Sequence, residues 1–166
     1  MSTSSDRAAT AGSPRVGIAG CDELPEILRV QRAAFRRAAR DLDIPEDRLP
    51  PLLETLDTLR RLHDAGNRFF AARVGRTVAG TVRARRREDG VVEVGRLAVD
   101  DGCERLGVAT ALMCALEDSF PDASRFELFT GAEAVAPLAL YDRLGYRQFA
   151  REGHEGATFL WLAKDR

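Results

Sequence analysis

The chain has 166 residues, 45% of them hydrophobic, enough for one ordinary core and within the usual size of a single domain. Its 25 lysines and arginines stand against 26 aspartates and glutamates, so a net charge of -1 offers no global field for nucleic acid or an acidic membrane. Three cysteines, Cys21, Cys103 and Cys114, are odd in number and form no CxxC pair, so they indicate neither a disulfide framework nor a metal site and fit a reducing cytoplasm.

Residues 1–14, rich in Ser, Thr and Ala without an apolar stretch, predict a disordered tail ahead of one domain over residues 15–166. No apolar run approaches the roughly 18 residues that span a bilayer, so no membrane partner is expected. Residues 15–19 alternate weakly, as an edge strand does, and Asp22 is placed to cap a helix. Leu24, Ile27, Leu28, Gln31, Ala34, Phe35 and Ala38 then recur at helical spacing. Ile44-Pro45 and Leu49-Pro50-Pro51 break the chain, and Leu52, Leu56, Leu59 and Leu62 predict a second helix that Gly66 ends. From there the period changes. Residues 69–74, 77–87 and 91–99 read as an antiparallel meander turned at Gly75-Arg76 and at Glu88-Asp89-Gly90. Ala109, Leu112, Met113, Leu116 and Phe120 mark a helix, residues 125–130 a strand, residues 137–144 a short helix, and residues 146–151 and 158–163 two final strands. This order describes a mixed α/β sheet whose fourth and fifth strands run parallel around one crossover.

The informative junction joins the strand ending Glu93-Val94-Gly95-Arg96-Leu97-Ala98-Val99 to the helix opened by Glu104-Arg105-Leu106-Gly107-Val108-Ala109-Thr110. The first turn of a helix presents unpaired N–H groups and the positive end of its dipole, which hold phosphate oxygens. The junction lacks the GK[ST] ending of a P-loop, and it lacks the three glycines and following acidic residue of a dinucleotide fold. A pyrophosphate with a long tail suits it better, since the tail can add along the strand end by main-chain hydrogen bonds, and coenzyme A has that shape.

Over residues 15–163 the chain resembles the GNAT superfamily of N-acetyltransferases. The family's loop reads Gln or Arg, two residues, Gly, any residue, Gly or Ala; Gly107 and Ala109 match it, and Glu104 stands in the Gln/Arg place. A second stretch, residues 134–146, matches the family's helix at Leu140-Tyr141 and Gly145-Tyr146, with Ala134 where Asn is usual and Pro137 where Ala is usual. The resemblance implies a mixed, mostly antiparallel sheet with splayed parallel strands 4 and 5 flanked by helices, and acetyl-CoA as cofactor. It implies that Leu97 and Val99 bind the pantetheine arm through their backbones. Leu106, Gly107, Val108, Ala109 and Thr110 would hold the pyrophosphate, with Arg105 supplying positive charge.

Acetyl transfer to an amine needs an uncharged nitrogen, donors for the developing oxyanion and a proton for the departing thiolate. The resemblance places the Tyr141 hydroxyl near the thioester sulfur as general acid. It matches Glu93 to a strand glutamate that deprotonates the amine; an ion pair with Arg83 or Arg96 explains a carboxylate in a central strand equally well. Glu127, on the neighbouring parallel strand, would border the same cleft and suit a cationic amine, although ion pairing with nearby arginines is the simpler explanation. Arg83, sharing a strand face with Arg85, can hold a substrate carboxylate or simply face solvent. Gly95 marks a site for a β-bulge. The activity expected is direct acetyl transfer to a small-molecule primary amine. The alternatives are acetylation of a protein N-terminus or lysine, and a silent acyl-CoA-binding module, which the departures at Glu104, Ala134 and Pro137 motivate. Residues 41–62 and the hairpin around His154 would border the acceptor site. The resemblance also allows a homodimer.

Overall fold

A computed structural model describes residues 12–166; the expected tail lies, through residue 11, outside the described residues. Strand β1 (Arg15–Ile18) leads into a 3-10 turn, Cys21–Glu23, and then into α1 (Leu24–Asp41). Asp22 is not the cap expected of it. The entry is closed instead by the Gly20 N–H donating to Glu23 Oε2 at 3.2 Å, with Pro25 fixing the first turn of α1.

The single leucine-rich helix expected next is two helices, α2 (Pro50–Leu53) and α3 (Leu56–Asp64). Two prolines start α2, which stops at Leu53, where Arg32 of α1 takes the Glu54 carbonyl at 2.9 Å. The chain goes extended at Glu54, and Thr55 accepts the Thr58 N–H at 3.2 Å to start α3 afresh. That break turns Glu54 toward the sheet, a consequence taken up below.

Strands β2 (Arg68–Val74), β3 (Thr77–Arg86) and β4 (Val91–Val99) form the meander, α4 (Val108–Asp118) the crossover, and β5 (Arg125–Gly131), α5 (Val135–Arg143), β6 (Arg147–His154) and β7 (Ala157–Asp165) complete the chain. The sheet order is β1-β2-β3-β4-β5-β7-β6, antiparallel except for β4 with β5. Strand alternation divides the core. Phe69, Ala71, Val78 and Ala98 meet α1 and α3 through Leu24, Ile27, Val30 and Leu59. Phe70, Ala72, Ala79, Val82 and Val92 meet α4 on the other face through Val108, Leu112, Met113 and Leu116. Each such large side chain contributes about 1.5–3 kcal/mol on burial. Among the described residues, no helix is long and apolar enough to cross a membrane.

Gly80 on β3 sets how closely α4 approaches the sheet. A Cβ there would lie 2.6 Å from Val108 Cγ1 and 3.0 Å from the Ala98 carbonyl oxygen, and neither atom ends a flexible side chain. The absent side chain therefore fixes the start of α4 against β3 and β4. Gly80→Ala is expected to destabilise the fold by about 1–3 kcal/mol through overpacking. It should also weaken acetyl-CoA binding by displacing Val108. Thermal melts and cofactor titration of the same variant check both effects, and unchanged values in both would refute the role given to Gly80.

Candidate active site

Only three residue pairs join β4 to β5: Val91 with Arg125, Val92 with Phe126 and Glu93 with Glu127. Past them the strands part, and β5 pairs only with β7. The expected bulge lies just beyond Gly95. Two residues of β4, Arg96 and Leu97, stand against the single residue Val82 of β3, and Arg96 takes φ 58°. The extra residue reverses the alternation. Val92 and Val94 face α4, and so do Leu97 and Val99, while Ala98 faces α1. The upper half of β4 thus keeps backbone groups on its β5 side without a strand partner, the requirement for a tail that adds along it.

Arg105 (φ 64°) and Gly107 (φ 74°) are both left-handed and flank Leu106, a sequence of signs that turns successive N–H groups to one side. The N–H groups of Val108, Ala109 and Thr110 open α4, lie too early for an intrahelical partner and have no other among the described residues. With the helix dipole behind them they form an anion cradle on an 11-residue helix. The residues expected to hold the cofactor are therefore contiguous in space, and they fit a pyrophosphate with an arm running down β4.

Two arginines of α1 tie down this loop, and nothing in the sequence pattern singled them out. Arg29 reaches Asp100 at 3.2 Å. Arg37 pairs with Asp101, lies 2.9 Å from Glu104 and donates from Nη2 to the Val99 carbonyl at 3.2 Å. Glu104 is thus paired from across the fold, by a guanidinium that it shares with Asp101.

On the α1 face, a cleft of about 300 Å³ is lined by Arg83, Arg85, Glu93, Gly95, Arg96, Glu127, Phe129 and Trp161 among others. Glu93 and Glu127, neighbours in register, both line it. Glu93 does pair with an arginine, but the β3–β4 register makes the partner Arg85 rather than Arg83 or Arg96: Arg85 Nη2 donates to Glu93 Oε2 at 2.8 Å. Glu127 is held by Arg125 at 2.9 Å and Arg87 at 3.2 Å. Arg83 does not face solvent. It forms a bidentate pair with Glu54 at 2.7 and 3.0 Å, and Arg96 donates to the same carboxylate at 3.0 and 3.1 Å.

Glu54 is the central residue that sequence reasoning missed. Its side chain is 11% exposed, and Gln31 Nε2 donates to it at 2.7 Å. Burial by itself would raise its pKa, but the hydrogen bonds from Arg83 and Gln31 and the charge of Arg96 hold it below the ordinary carboxylate value. No periodicity marks it; only the helix break at Glu54-Thr55 could have.

Tyr141 lies on the opposite face, buried in the core shared by Val94, Leu128 and Leu140. Burial pushes its phenol up to about 12. Its hydroxyl donates to no side chain among the described residues, whereas Tyr146, edge-on at 5.9 Å between ring centroids, donates to Glu117 Oε1 at 2.9 Å. Lys164 Nζ holds the other Glu117 oxygen at 2.6 Å. Burial and the Glu117 carboxylate raise the Tyr146 phenol strongly, so it serves as a fixed donor that positions the neighbouring ring. Among the described residues no three His, Cys, Asp or Glu are grouped to hold a metal ion.

A sheet that parts beside an anion-binding helix, with carboxylates on one face and a phenol on the other, is the architecture of a coenzyme A-dependent acyltransferase. Residues 25–146 match the profile of the Acetyltransferase (GNAT) family, and the chain belongs to that family, whose cofactor is acetyl-CoA. Among solved structures, the chain is similar to the PaiA N-acetyltransferase of Thermoplasma acidophilum in complex with coenzyme A, with TM-score 0.79, 13% identity, and 93% of this chain and 99% of that one covered. It is also similar to the ribosomal-protein-alanine N-acetyltransferase of Brucella melitensis, with TM-score 0.70, 17% identity, and 92% and 99% covered. An N-acetyltransferase of Staphylococcus aureus aligns with TM-score 0.71 at 13% identity over 92% and 98%. These likenesses establish the fold. No curated protein matches the sequence.

Two outcomes follow from the charged groups. A carboxyl whose folded pKa lies below its unfolded value of about 4.3 adds stability that is fully present above that value and is lost as pH falls through the lowered one. Glu54→Gln is therefore expected to cost about 3 kcal/mol at neutral pH, the low end for a broken buried pair because its arginines are partly exposed. It should also flatten the acid limb of a stability-versus-pH curve; an unchanged limb in denaturant titrations would contradict the assignment. On the loop, Arg37→Ala should weaken acetyl-CoA binding about 10-fold by leaving Glu104 facing the pyrophosphate. Adding Glu104→Gln should restore most of that loss, and additive losses in the double variant would refute the compensation.

Proposed function

We propose that the protein transfers the acetyl group of acetyl-CoA directly to a primary amine of a small molecule, in the cytoplasm, where its three unpaired cysteines would stay reduced. The observation that carries this reading is the parting of β4 and β5 immediately past Glu93 and Glu127. It puts two carboxylates in the lining of a cleft beside β4, the strand whose far end leads to the first turn of α4. The cofactor supplies an acetyl thioester, and the chain's residues do the rest. Main-chain N–H groups of residues 106–110 hold the pyrophosphate, with Arg105 near it, while Leu97 and Val99 line the arm. The cleft admits the amine from the α1 face. Glu93, steadied by Arg85 through Oε2, keeps Oε1 without a hydrogen bond among the described residues, 3.8 Å from Arg87, and takes the amine proton directly or through water. Glu127, itself paired with Arg125 and Arg87, borders the amine beside Glu93. Tyr141 donates its proton toward the departing sulfur.

A volume near 300 Å³ suits a metabolite better than a folded protein's surface. The likeness to a ribosomal-protein-alanine N-acetyltransferase supplies the alternative, a flexible protein N-terminus threaded into the same cleft.

Thiol release from acetyl-CoA over a panel of small primary amines tests the reading. Turnover supports it, and tight cofactor binding without turnover on any amine or peptide would establish a silent binding module instead. Tyr141→Phe preserves the packing and is expected to lower kcat about 10²-fold while acetyl-CoA affinity stays within about twofold. With its phenol at about 12, Tyr141 remains protonated across the working range, so the pH–rate profile should show no loss from it below roughly pH 11. An unchanged kcat in the variant would remove Tyr141 from the acid role.

A further inference from the structure

We infer that the acceptor is an α-amino acid with an apolar or aromatic side chain, its carboxylate held by Arg83 and Arg96; this rests on the acetyl transfer to a small amine proposed above. The cleft is polarised. At one end Arg83 and Arg96 line it, and the single carboxylate of Glu54 braces both from behind without lining it. Two guanidiniums against one carboxylate leave one positive charge at a partly buried position, and such a charge calls for a monoanion. Arg96 Nη1 makes no hydrogen bond among the described residues, because Glu54 is engaged through Nε and Nη2. Its N–H pair is free for a carboxylate, which the planar fork of a guanidinium matches.

Arg96 is also in a costly conformation for a side chain that bears a Cβ. It is left-handed at φ 58°, inside a bulge, and Glu54 holds it there. The bulge turns this side chain to the α1 face, whereas strict alternation from Val94 would turn it toward α4.

Toward the other end of the cleft lie the carboxylates, each already paired, Glu93 with Arg85 and Glu127 with Arg125 and Arg87, so the contact open there is the hydrogen-bonding capacity of Glu93 rather than net negative charge. Arg83 pairs in register with Gly95, and Glu93 stands two residues before Gly95 on β4, with Glu127 beside it. Two strand residues span roughly 7 Å. That is the order of distance needed to place an ammonium group on Glu93 and a carboxylate on the arginines, each through a hydrogen bond. The amine is thus delivered to the point where β4 and β5 part.

The third wall is apolar. Phe129 is 50% exposed, packs on Trp161 with ring centroids 5.0 Å apart and on Phe159 at 5.9 Å, and lines the cleft together with Trp161. The indole N–H of Trp161 donates to Glu152 at 3.0 Å, which fixes the ring and leaves an aromatic surface for a side chain.

The test compares kcat/KM at saturating acetyl-CoA for L-phenylalanine, for phenethylamine, which lacks the carboxylate, and for glycine, which lacks the ring. Phenylalanine should exceed each by about 10-fold or more. Arg96→Gly removes the guanidinium while keeping a residue that accepts the left-handed backbone. It should bring the phenylalanine-to-phenethylamine ratio close to one, with the change in KM; a misfolded fraction scales both rates equally and cannot mimic this. Phenethylamine accepted as well as phenylalanine, or a ratio unaltered by Arg96→Gly, would overturn the inference while acetyl transfer itself stands. If no amine is acetylated, the proposed activity falls, and calorimetry of the CoA-saturated protein with N-acetyl-L-phenylalanine and its amide decides the inference. Preference for the acid that disappears in Arg96→Gly sustains it, and equal or absent binding overturns it.

Discussion

The rest of the site depends on the separation of β4 from β5 after three paired residues. A central strand that loses one neighbour must find other partners for its backbone groups or expose them to water. Here that cost is accepted at the place where a cofactor arm can add as a surrogate strand. The parting makes the cleft, brings Glu93 and Glu127 to its base, and leaves the end of β4 aimed at the first turn of α4. Gly80 keeps that turn close to the sheet, so arm and pyrophosphate meet one continuous main-chain surface.

Charge is then arranged in two clusters of opposite excess. Beneath the acceptor cleft, Glu54 gathers Arg83, Arg96 and Gln31, stabilising a left-handed bulge residue that the strand would not otherwise hold. Across the cofactor loop, Arg37 offsets Glu104 and Asp101, while Arg29 holds Asp100. Both clusters tie the α1–α2 layer to the functional end of the sheet. The same helical layer therefore supports donor and acceptor sides, and a loss of α1 packing would be felt at both.

Much of the fold was legible because its elements have strong local signals. The meander had Gly75 and Gly90 at its turns, α4 had a clear apolar stripe, and the strand-to-helix junction carried Gly107 and Ala109. What escaped was set by contacts distant in sequence. Leu52, Leu56, Leu59 and Leu62 imitate one helix, and only the extended backbone at Glu54 reveals two. Arg37 is one of many arginines on α1, with nothing local to separate it from a solvated face. The partner of Glu93 depended on the β3–β4 register, which the turn at residues 88–90 sets on that side of the bulge: Arg85 stands opposite Glu93, and Arg83 stands opposite Gly95. The strand-to-helix junction proposed for the cofactor was readable from pattern, whereas the ion-pair partners around the cleft required the register and the helix break.

The central claim is that the backbone between Leu106 and Thr110 and the free edge of β4 hold the cofactor. Amide chemical-shift mapping of the isotope-labelled protein during titration with coenzyme A tests it most directly. The account predicts large, saturable shifts of the Gly107, Val108, Ala109 and Thr110 amides, accompanied by shifts at Leu97 and Val99. Binding that leaves these amides unmoved and perturbs another surface would contradict it.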